Sequence, residues 1–339
     1  VSAAVEIENL GKDYSRRIRQ SGLWGAVKGV FSSVHERVPA VKGLTFTIQR
    51  GEQVGLIGEN GAGKSTTVKM LCGILLPSAG SVQVLGYTPW KQRRQLAARI
   101  GVVFGQKPQL LWDIPVRETF TLLKEMYGIP EAVYAKTYAK IVSLLDLEPL
   151  MSSPVRQLSL GQRMRCDLGA ALLHAPDLAF LDEPTIGLDV VAKQQARELI
   201  RWLSREFGTT LILTTHDLKD ITETCQRVIL LDKGGLLFDG SLPSFEDSFA
   251  AERRLVAKLE RPLGAQDERR LKECAEALGL RTVEWGPAAV ALASVSAASL
   301  NQAAALLLAS GSVAELDFER TEIEEVVRRI YSRQGAGRA

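Results

Sequence analysis

Gly58-Glu59-Asn60-Gly61-Ala62-Gly63-Lys64-Ser65-Thr66 is the stretch whose reading decides the fold. Its spacing, G-x-x-x-x-G-K-[ST], is that of a phosphate-binding loop. The apolar run 53–57 before it suits a buried strand, and 65–72 after it has helix-compatible spacing, so the motif sits in the strand-loop-helix setting it requires. Glycines at 58, 61 and 63 let the backbone turn without side-chain clash, so that successive N–H groups converge on phosphate oxygens at the positive end of the following helix. Lys64 then places a cation on the outer phosphates. Ser65 offers a hydroxyl to Mg²⁺, a cation that prefers hard oxygen ligands and keeps several waters.

Outward from that loop, 339 residues leave room for two domains, one large and one small. The 42 basic and 39 acidic residues nearly cancel, leaving +3, so no global field argues for nucleic acid, and none is expected as a partner. Cys72, Cys166, Cys225 and Cys274 lie far apart without metal-ligand spacing and read as reduced, small buried hydrophobes of a cytosolic protein. No signal peptide precedes the first motif, and no apolar run approaches the roughly 18 residues of a membrane span.

In chain order, 4–7 alternates weakly as a strand, and Lys12, Asp13 and Tyr14 follow in a turn. Residues 16–39 look inserted. Arg16, Arg17 and Arg19 precede a helical apolar pattern of Leu23, Trp24, Val27, Val30, Phe31 and Val34, with Lys28, Ser32, Ser33, His35 and Glu36 opposite. Such a basic amphipathic helix suits the inner leaflet, a membrane partner or the surface of its own domain, and the partner at the membrane surface is favoured. Strands are expected at 44–48, 81–85 and 100–104, then a helical subdomain over about 106–157. The strands 178–181 and 210–214, separated by a helix around 192–207, restore α/β alternation, and 228–231 with 236–238 form a closing hairpin. Beyond Gly240 the order is strand 255–259, helix 268–278, strand 282–285, strand 290–295, helix 300–309, strand 313–318 and helix 322–331. This β-α-β-β-α-β pattern with one extra helix suggests a ferredoxin-like α+β domain over 241–331, followed by a disordered tail, 332–339.

Leu181-Asp182-Glu183 ends an apolar strand about 120 residues after the phosphate loop, where Asp182 can reach Mg²⁺ through water and Glu183 can polarise an attacking water. Leu158-Ser159-Leu160-Gly161-Gln162, with Gln162 lying 20 residues before Asp182, resembles the signature sequence of ATP-binding cassette (ABC) proteins. Gln106 fits that family's glutamine loop, Ile186-Gly187-Leu188-Asp189 its D-loop, His216 its switch histidine, and Tyr14 the aromatic that stacks on adenine. His35 and His174 have no such context and read as structural.

The resemblance implies an α/β P-loop NTPase cassette, with a RecA-like core plus helical subdomain, over residues 1–240. It also implies binding of ATP and Mg²⁺. The nucleotide would be held by Tyr14, Gly58, Asn60, Gly61, Ala62, Gly63, Lys64, Ser65, Thr66, Gln106, Ser159, Gly161, Gln162 and Asp189. The metal would be held by Ser65, Gln106 and Asp182, with Glu183 and His216 catalytic. It further implies a head-to-tail dimer in which Ser159 and Gly161 of one subunit touch the γ-phosphate bound by Lys64 of the other. Two departures stand out. Leu160 occupies a signature position where glycine is usual, with activity expected to survive, and Tyr14 lies some 20 residues further from the phosphate loop than is typical, the insertion standing between.

Within the family, the single cassette, the 184–189 stretch and the expected 322–331 helix resemble bacterial ATPase subunits of ABC-2-type exporters. The signature variant and the Gly105-Gln106…Leu111-Trp112-Asp113 neighbourhood resemble a subgroup served by separately encoded permeases. That implies permease partners and a place on the cytoplasmic face of the bacterial inner membrane. An importer ATPase would carry the same motifs. A soluble ABC protein acting on ribosomes or DNA would instead carry two cassettes, or a long coiled coil where this chain has about 90 ordinary residues.

Overall fold

The chain opens as a long hairpin in which β1 (Ala3–Arg17) pairs antiparallel with β2 (His35–Gln49), from Ala3↔Gln49 to Arg17↔His35. Lys12 to Tyr14 therefore lie in a strand rather than in the expected turn, and residues 35–39 belong to β2 rather than to an inserted helical segment. The cause is visible in the register. It shifts between Ile7 and Leu10 and twice more before Asp13, which breaks the period-2 alternation a regular strand would display. Pro39 is tolerated because β2 is an edge strand. The structure, a computed structural model, describes residues 3–17, 35–104, 108–215, 217–248, 253–294 and 296–320. The amphipathic pattern from Leu23 to Val34, the helix expected at 322–331 and the tail lie outside them.

β3 (Gln53–Gly58) leads into α1 (Lys64–Leu71), and β4 (Ala79–Val84) returns to pair with β1, completing a three-stranded sheet β2-β1-β4. After α2 (Arg93–Ala97) and β5 (Ile100–Phe104) comes the helical segment, α3 (Val116–Tyr127), α4 (Glu131–Leu144) and α5 (Leu160–Leu172). There Phe120 is fully buried with its ring edge-on to Tyr138, 6.2 Å away, and the Thr137 hydroxyl donates to the Leu173 carbonyl at 2.7 Å. The chain continues through β6 (Leu178–Asp182), α6 (Val190–Phe207), β7 (Thr210–Thr214), α7 (Leu218–Thr224), β8 (Arg227–Asp232) and β9 (Gly235–Ser241).

These strands form a six-stranded sheet, β5-β6-β7-β3-β8-β9, parallel except for the β8-β9 hairpin. The interior strands are continuously apolar, with Val54, Leu56 and Ile57 of β3 and Leu178 to Leu181 of β6 buried, as strands covered on both faces must be. On one face, Val54, Leu56, Leu178 and Phe180 meet Ile7, Leu10, Leu44, Val68 and Leu71 in one core.

The chain divides into two compact units, Val1–Leu242 and Pro243–Ala339. α8 (Leu242–Ser248) starts where the first ends. In the second unit the order is β10 (Arg253–Leu259), α9 (Ala265–Ala277), β11 (Arg281–Trp285), β12 (Ala289–Ser294), α10 (Ala297–Ala309) and β13 (Val313–Arg320). The four strands make an antiparallel sheet ordered β11-β12-β10-β13. Its core joins Leu255 and Ala257 of β10 and Val290 and Leu292 of β12 to Leu271, Leu300 and Leu307 from the two helices.

Cys72, Cys166 and Cys225 are buried, and His174 is half-buried. The His174 ring stacks on Tyr127, with centroids 4.1 Å apart and planes 7° from parallel, and its Nε2–H donates to the Ile100 carbonyl at 3.1 Å. Its Nδ1 has no partner among the described residues. Burial pushes the imidazole down to about 4 from an ordinary 6.5. The unfolded chain therefore takes up this proton first, so stability is full above pH 6.5 and falls as pH drops toward 4. Urea-unfolding midpoints should fall more steeply across that window in the native chain than in His174→Phe, which keeps the ring stacking and cannot titrate.

Candidate functional site

The phosphate loop is held open by its backbone. Gly63, at the N-terminus of α1, has φ 101°, and a Cβ there would lie 2.7 Å from the Ala40 carbonyl of β2. No side chain caps α1, and an uncapped helix N-terminus leaves backbone N–H groups available to an anion. The loop is braced from within by the Ala62 N–H donating to the Glu59 carbonyl at 3.0 Å, and from outside by the Gly234 N–H donating to the Ala62 carbonyl at 3.2 Å. Asn60 and Gly61 are exposed at the tip, and Thr66 is half-buried. The Lys64 ammonium donates to the carbonyls of Gly58 at 2.6 Å and Glu59 at 3.1 Å. Burial lowers its affinity for a proton, and the facing carboxylates of Glu183, Asp182 and Glu59 oppose that effect.

Asp182 ends β6 directly opposite Thr214 at the end of β7, and its Oδ1 accepts hydrogen bonds from the Thr214 hydroxyl and from Ser65 Oγ at 3.3 Å. Three elements thus bring hard oxygen donors to one point, a donor set that fits Mg²⁺ completed by phosphates and water. Glu183 follows with φ 56°, a left-handed conformation uncommon for a residue carrying a Cβ. Two backbone bonds hold it there, its N–H to the Thr214 carbonyl at 2.9 Å and its carbonyl to the Ile186 N–H at 3.3 Å.

Gln106 and His216 lie outside the described residues; of those described nearby, Phe104 pairs with Asp182, and Thr215 follows Thr214. Tyr14 is exposed on β1 opposite Val38, two residues from the Ala40 that abuts Gly63, with the Lys12 ammonium 5.7 Å from its ring centroid. Tyr14 thus lies on the same ribbon that meets the phosphate loop at Ala40, some 50 residues before that loop in sequence.

Ser159 and Gln162 bond to each other. They form a capping box at the start of α5, with Ser159 Oγ accepting from the Gln162 N–H at 3.3 Å and Gln162 Oε1 from the Ser159 N–H at 2.9 Å. The S-x-x-Q spacing carried that information in the sequence. Asp189 likewise caps α6, accepting from the Ala192 N–H at 2.8 Å. Sequence reasoning missed Thr214, and it missed two buried carboxylates. Asp167 accepts the Gln109 and Leu110 N–H groups at 2.8 and 3.2 Å, tying α5 to the segment that follows Gln106. Asp220 binds Arg197 at 2.8 Å and Thr185 at 2.5 Å. No local pattern marks such contacts, whose partners lie 23 to 58 residues away.

Residues 41–186 match the family model described as ABC transporter. The chain is 32% identical over 222 residues to the ABC transporter ATP-binding protein NatA of Bacillus subtilis (strain 168), covering 66% of this chain and 90% of that protein. It is 33% identical over 241 residues to the Nod factor export ATP-binding protein I of Ralstonia nicotianae, covering 67% of this chain and 74% of that one. Among solved structures it resembles a dimeric, post-hydrolysis ATP-binding cassette bound to ADP and Pi, with TM-score 0.58 at 25% identity, covering 70% of this chain and 98% of that one. A phosphate loop facing Asp182 and Glu183, and relatives matched over most of their length, lead to one conclusion: the chain belongs to the ABC transporter ATP-binding proteins, in which ATP hydrolysis is coupled to transport.

Proposed function

We propose that this chain is the ATPase subunit of an ABC-2-type exporter, working as a dimer on separate permease subunits at the cytoplasmic face of a bacterial inner membrane. The observation that carries the reading is the convergence of Lys64, Ser65, Asp182 and Glu183 at the open end of α1. Similarity to a protein named for Nod factor export supports the direction. Among the described residues no helix is long and apolar enough to cross a membrane, so a separate permease would form the path.

Lys64 and the N–H groups of 60–66 bind the phosphates, and Tyr14 stacks on adenine. Ser65 and Asp182, with Gln106, would hold Mg²⁺, which supplies neutralising charge to the phosphate oxygens. Glu183 takes the proton of the attacking water as its oxygen bonds to the γ-phosphorus, and ADP leaves with the electron pair of the bridging oxygen. His216 steadies the γ-phosphate. Ser159 and Gly161 of one subunit complete the site of the other, with Gln162 shaping the loop through its cap and Asp189 placing the D-loop. Exposure of Leu160, Ile186, Val190 and Val191 along that side of the subunit supports the dimer.

The second unit, assigned to 241–331, is taken as a ferredoxin-like domain, a reading supported by its β-α-β-β-α-β order and the strand sequence β11-β12-β10-β13. Its role is regulatory or dimer-stabilising. Deleting residues 243–339 should leave nucleotide titrations of the cassette unchanged and alter transporter assembly or coupling, whereas a folded truncation that no longer binds nucleotide would contradict that role.

Glu183→Gln should cut turnover of the assembled transporter by roughly 10² to 10⁴. It should still bind MgATP and accumulate as a closed dimer on gel filtration. Lys64→Ala should weaken productive nucleotide binding instead. Near-normal hydrolysis by Glu183→Gln would sink the reading.

The unusual Leu160 has a partner in its own subunit. A Cβ on Gly187, whose φ is 74°, would lie 3.0 Å from Leu160 Cδ2, and a Cβ on Gly161 would lie 3.1 Å from the Gly187 carbonyl. Gly187→Ala forces a left-handed alanine, costing about 1–2 kcal/mol, against that contact. It should lower kcat by about 10-fold with ATP affinity retained, and Leu160→Ala in the same chain should recover part of the loss.

A further inference from the structure

We propose that Asp220 is a positioning residue for hydrolysis, a buried hub that locks the loop carrying Glu183 to the loop leading into His216. The proposal rests on the catalytic reading of those two residues given above. Asp220 is 1% exposed on α7 and receives hydrogen bonds from three directions. Its Oδ2 accepts the Thr185 hydroxyl at 2.5 Å and the Thr215 hydroxyl at 3.4 Å, while its Oδ1 accepts Arg197 Nη1 from α6 at 2.8 Å. Thr185 lies two residues after Glu183, and Thr215 immediately precedes His216. One carboxylate oxygen therefore spans both catalytic loops.

The surroundings hold that oxygen in place. The Arg197 guanidinium, itself buried, also lies 3.0 Å from Glu223 Oε2 and donates to Gln194 Oε1 at 3.2 Å. Arg201 Nη1 donates to the Glu223 carbonyl at 3.2 Å. On the far side of His216, Asp217 pairs with Lys193 at 2.5 Å and donates its N–H to Thr215 Oγ1 at 3.0 Å. The loop after β7 is thus pinned on both sides of residue 216 to the same helix, α6, that Arg197 occupies.

A buried ion pair is a poor source of stability, because both ions lose their hydration and well-packed apolar residues of similar volume often do as well. What a charged pair with two hydroxyl donors supplies, and an apolar pair does not, is direction. Each bond fixes a distance and an angle, and an error of about 1 Å at reacting groups can cost on the order of 10²-fold in rate. Glu183 is already held in a left-handed conformation by its own N–H bond to Thr214. The Thr185 bond to Asp220 fixes the other end of the same turn.

Thr185→Val tests the hub while leaving the Arg197–Asp220 pair intact. In the assembled transporter it should lower kcat by about 10- to 100-fold, with the MgATP dissociation constant within about 3-fold of the native value, and Thr185→Ser should restore turnover to within about 3-fold. Thr215→Val repeats the test from the other loop if Thr185→Val does not fold, and Glu183→Gln is measured alongside. Native kcat in Thr185→Val, or equal losses in the Val and Ser variants, would overturn the hub while a slow Glu183→Gln leaves the catalytic reading standing. Loss of nucleotide binding in parallel with turnover would also overturn it, since the role would then be structural. Native turnover in Glu183→Gln would instead remove the catalytic reading, and the hub with it.

Discussion

Parallel pairing is the constraint on which the cassette depends. Because β5, β6, β7, β3 and β8 run the same way, each ends at one edge, and the residues that follow those ends are neighbours whatever their distance in sequence. Gly58, Phe104, Asp182 and Thr214 are 32 to 156 residues apart and share that edge. The apolar runs of β3 and β6 are thus the reason that a lysine at 64 faces carboxylates at 182 and 183. Burial supplies the driving force, at about 25 cal/mol for each Å² of apolar surface removed from water, and register supplies the chemistry.

Lys64 faces Asp182, which accepts two hydroxyl donors, and the buried Asp220–Arg197 pair ties the segment after Glu183 to the end of β7 through Thr185 and Thr215. Such preorganised dipoles need no rearrangement at the moment of reaction, which is where fixed polar groups gain their advantage over water.

What the sequence disclosed follows from how far each signal reaches. The phosphate loop, Asp182, Glu183 and the signature were legible because each is a contiguous run with fixed spacing, and the interior strands because continuous apolarity marks strands covered on both faces. The hairpin was misread beyond Ile7 because bulges scramble alternation, so Lys12, Asp13 and Tyr14 looked like a turn. Asp220, Arg197 and Asp167 were invisible for another reason. A lone charge in an amphipathic helix looks like surface until the fold shows what it faces, and both Asp220 and Asp167 face inward. The Ser159 to Gln162 cap is legible in the S-x-x-Q spacing, where the family motif offers a second explanation for the same residues.

The β1-β2 hairpin has a mechanical meaning as well. From Arg17↔His35 it runs as paired strands to Asp13↔Pro39, and the next residue, Ala40, sits at a register shift with its carbonyl against Gly63, five residues or about 17 Å along β2 from His35. Two hydrogen-bonded strands resist bending far better than a single chain does. The Arg17↔His35 end of the ribbon is thus joined to the phosphate loop by a double strand whose one break in register on the way, at Ala40, is where the ribbon meets the loop.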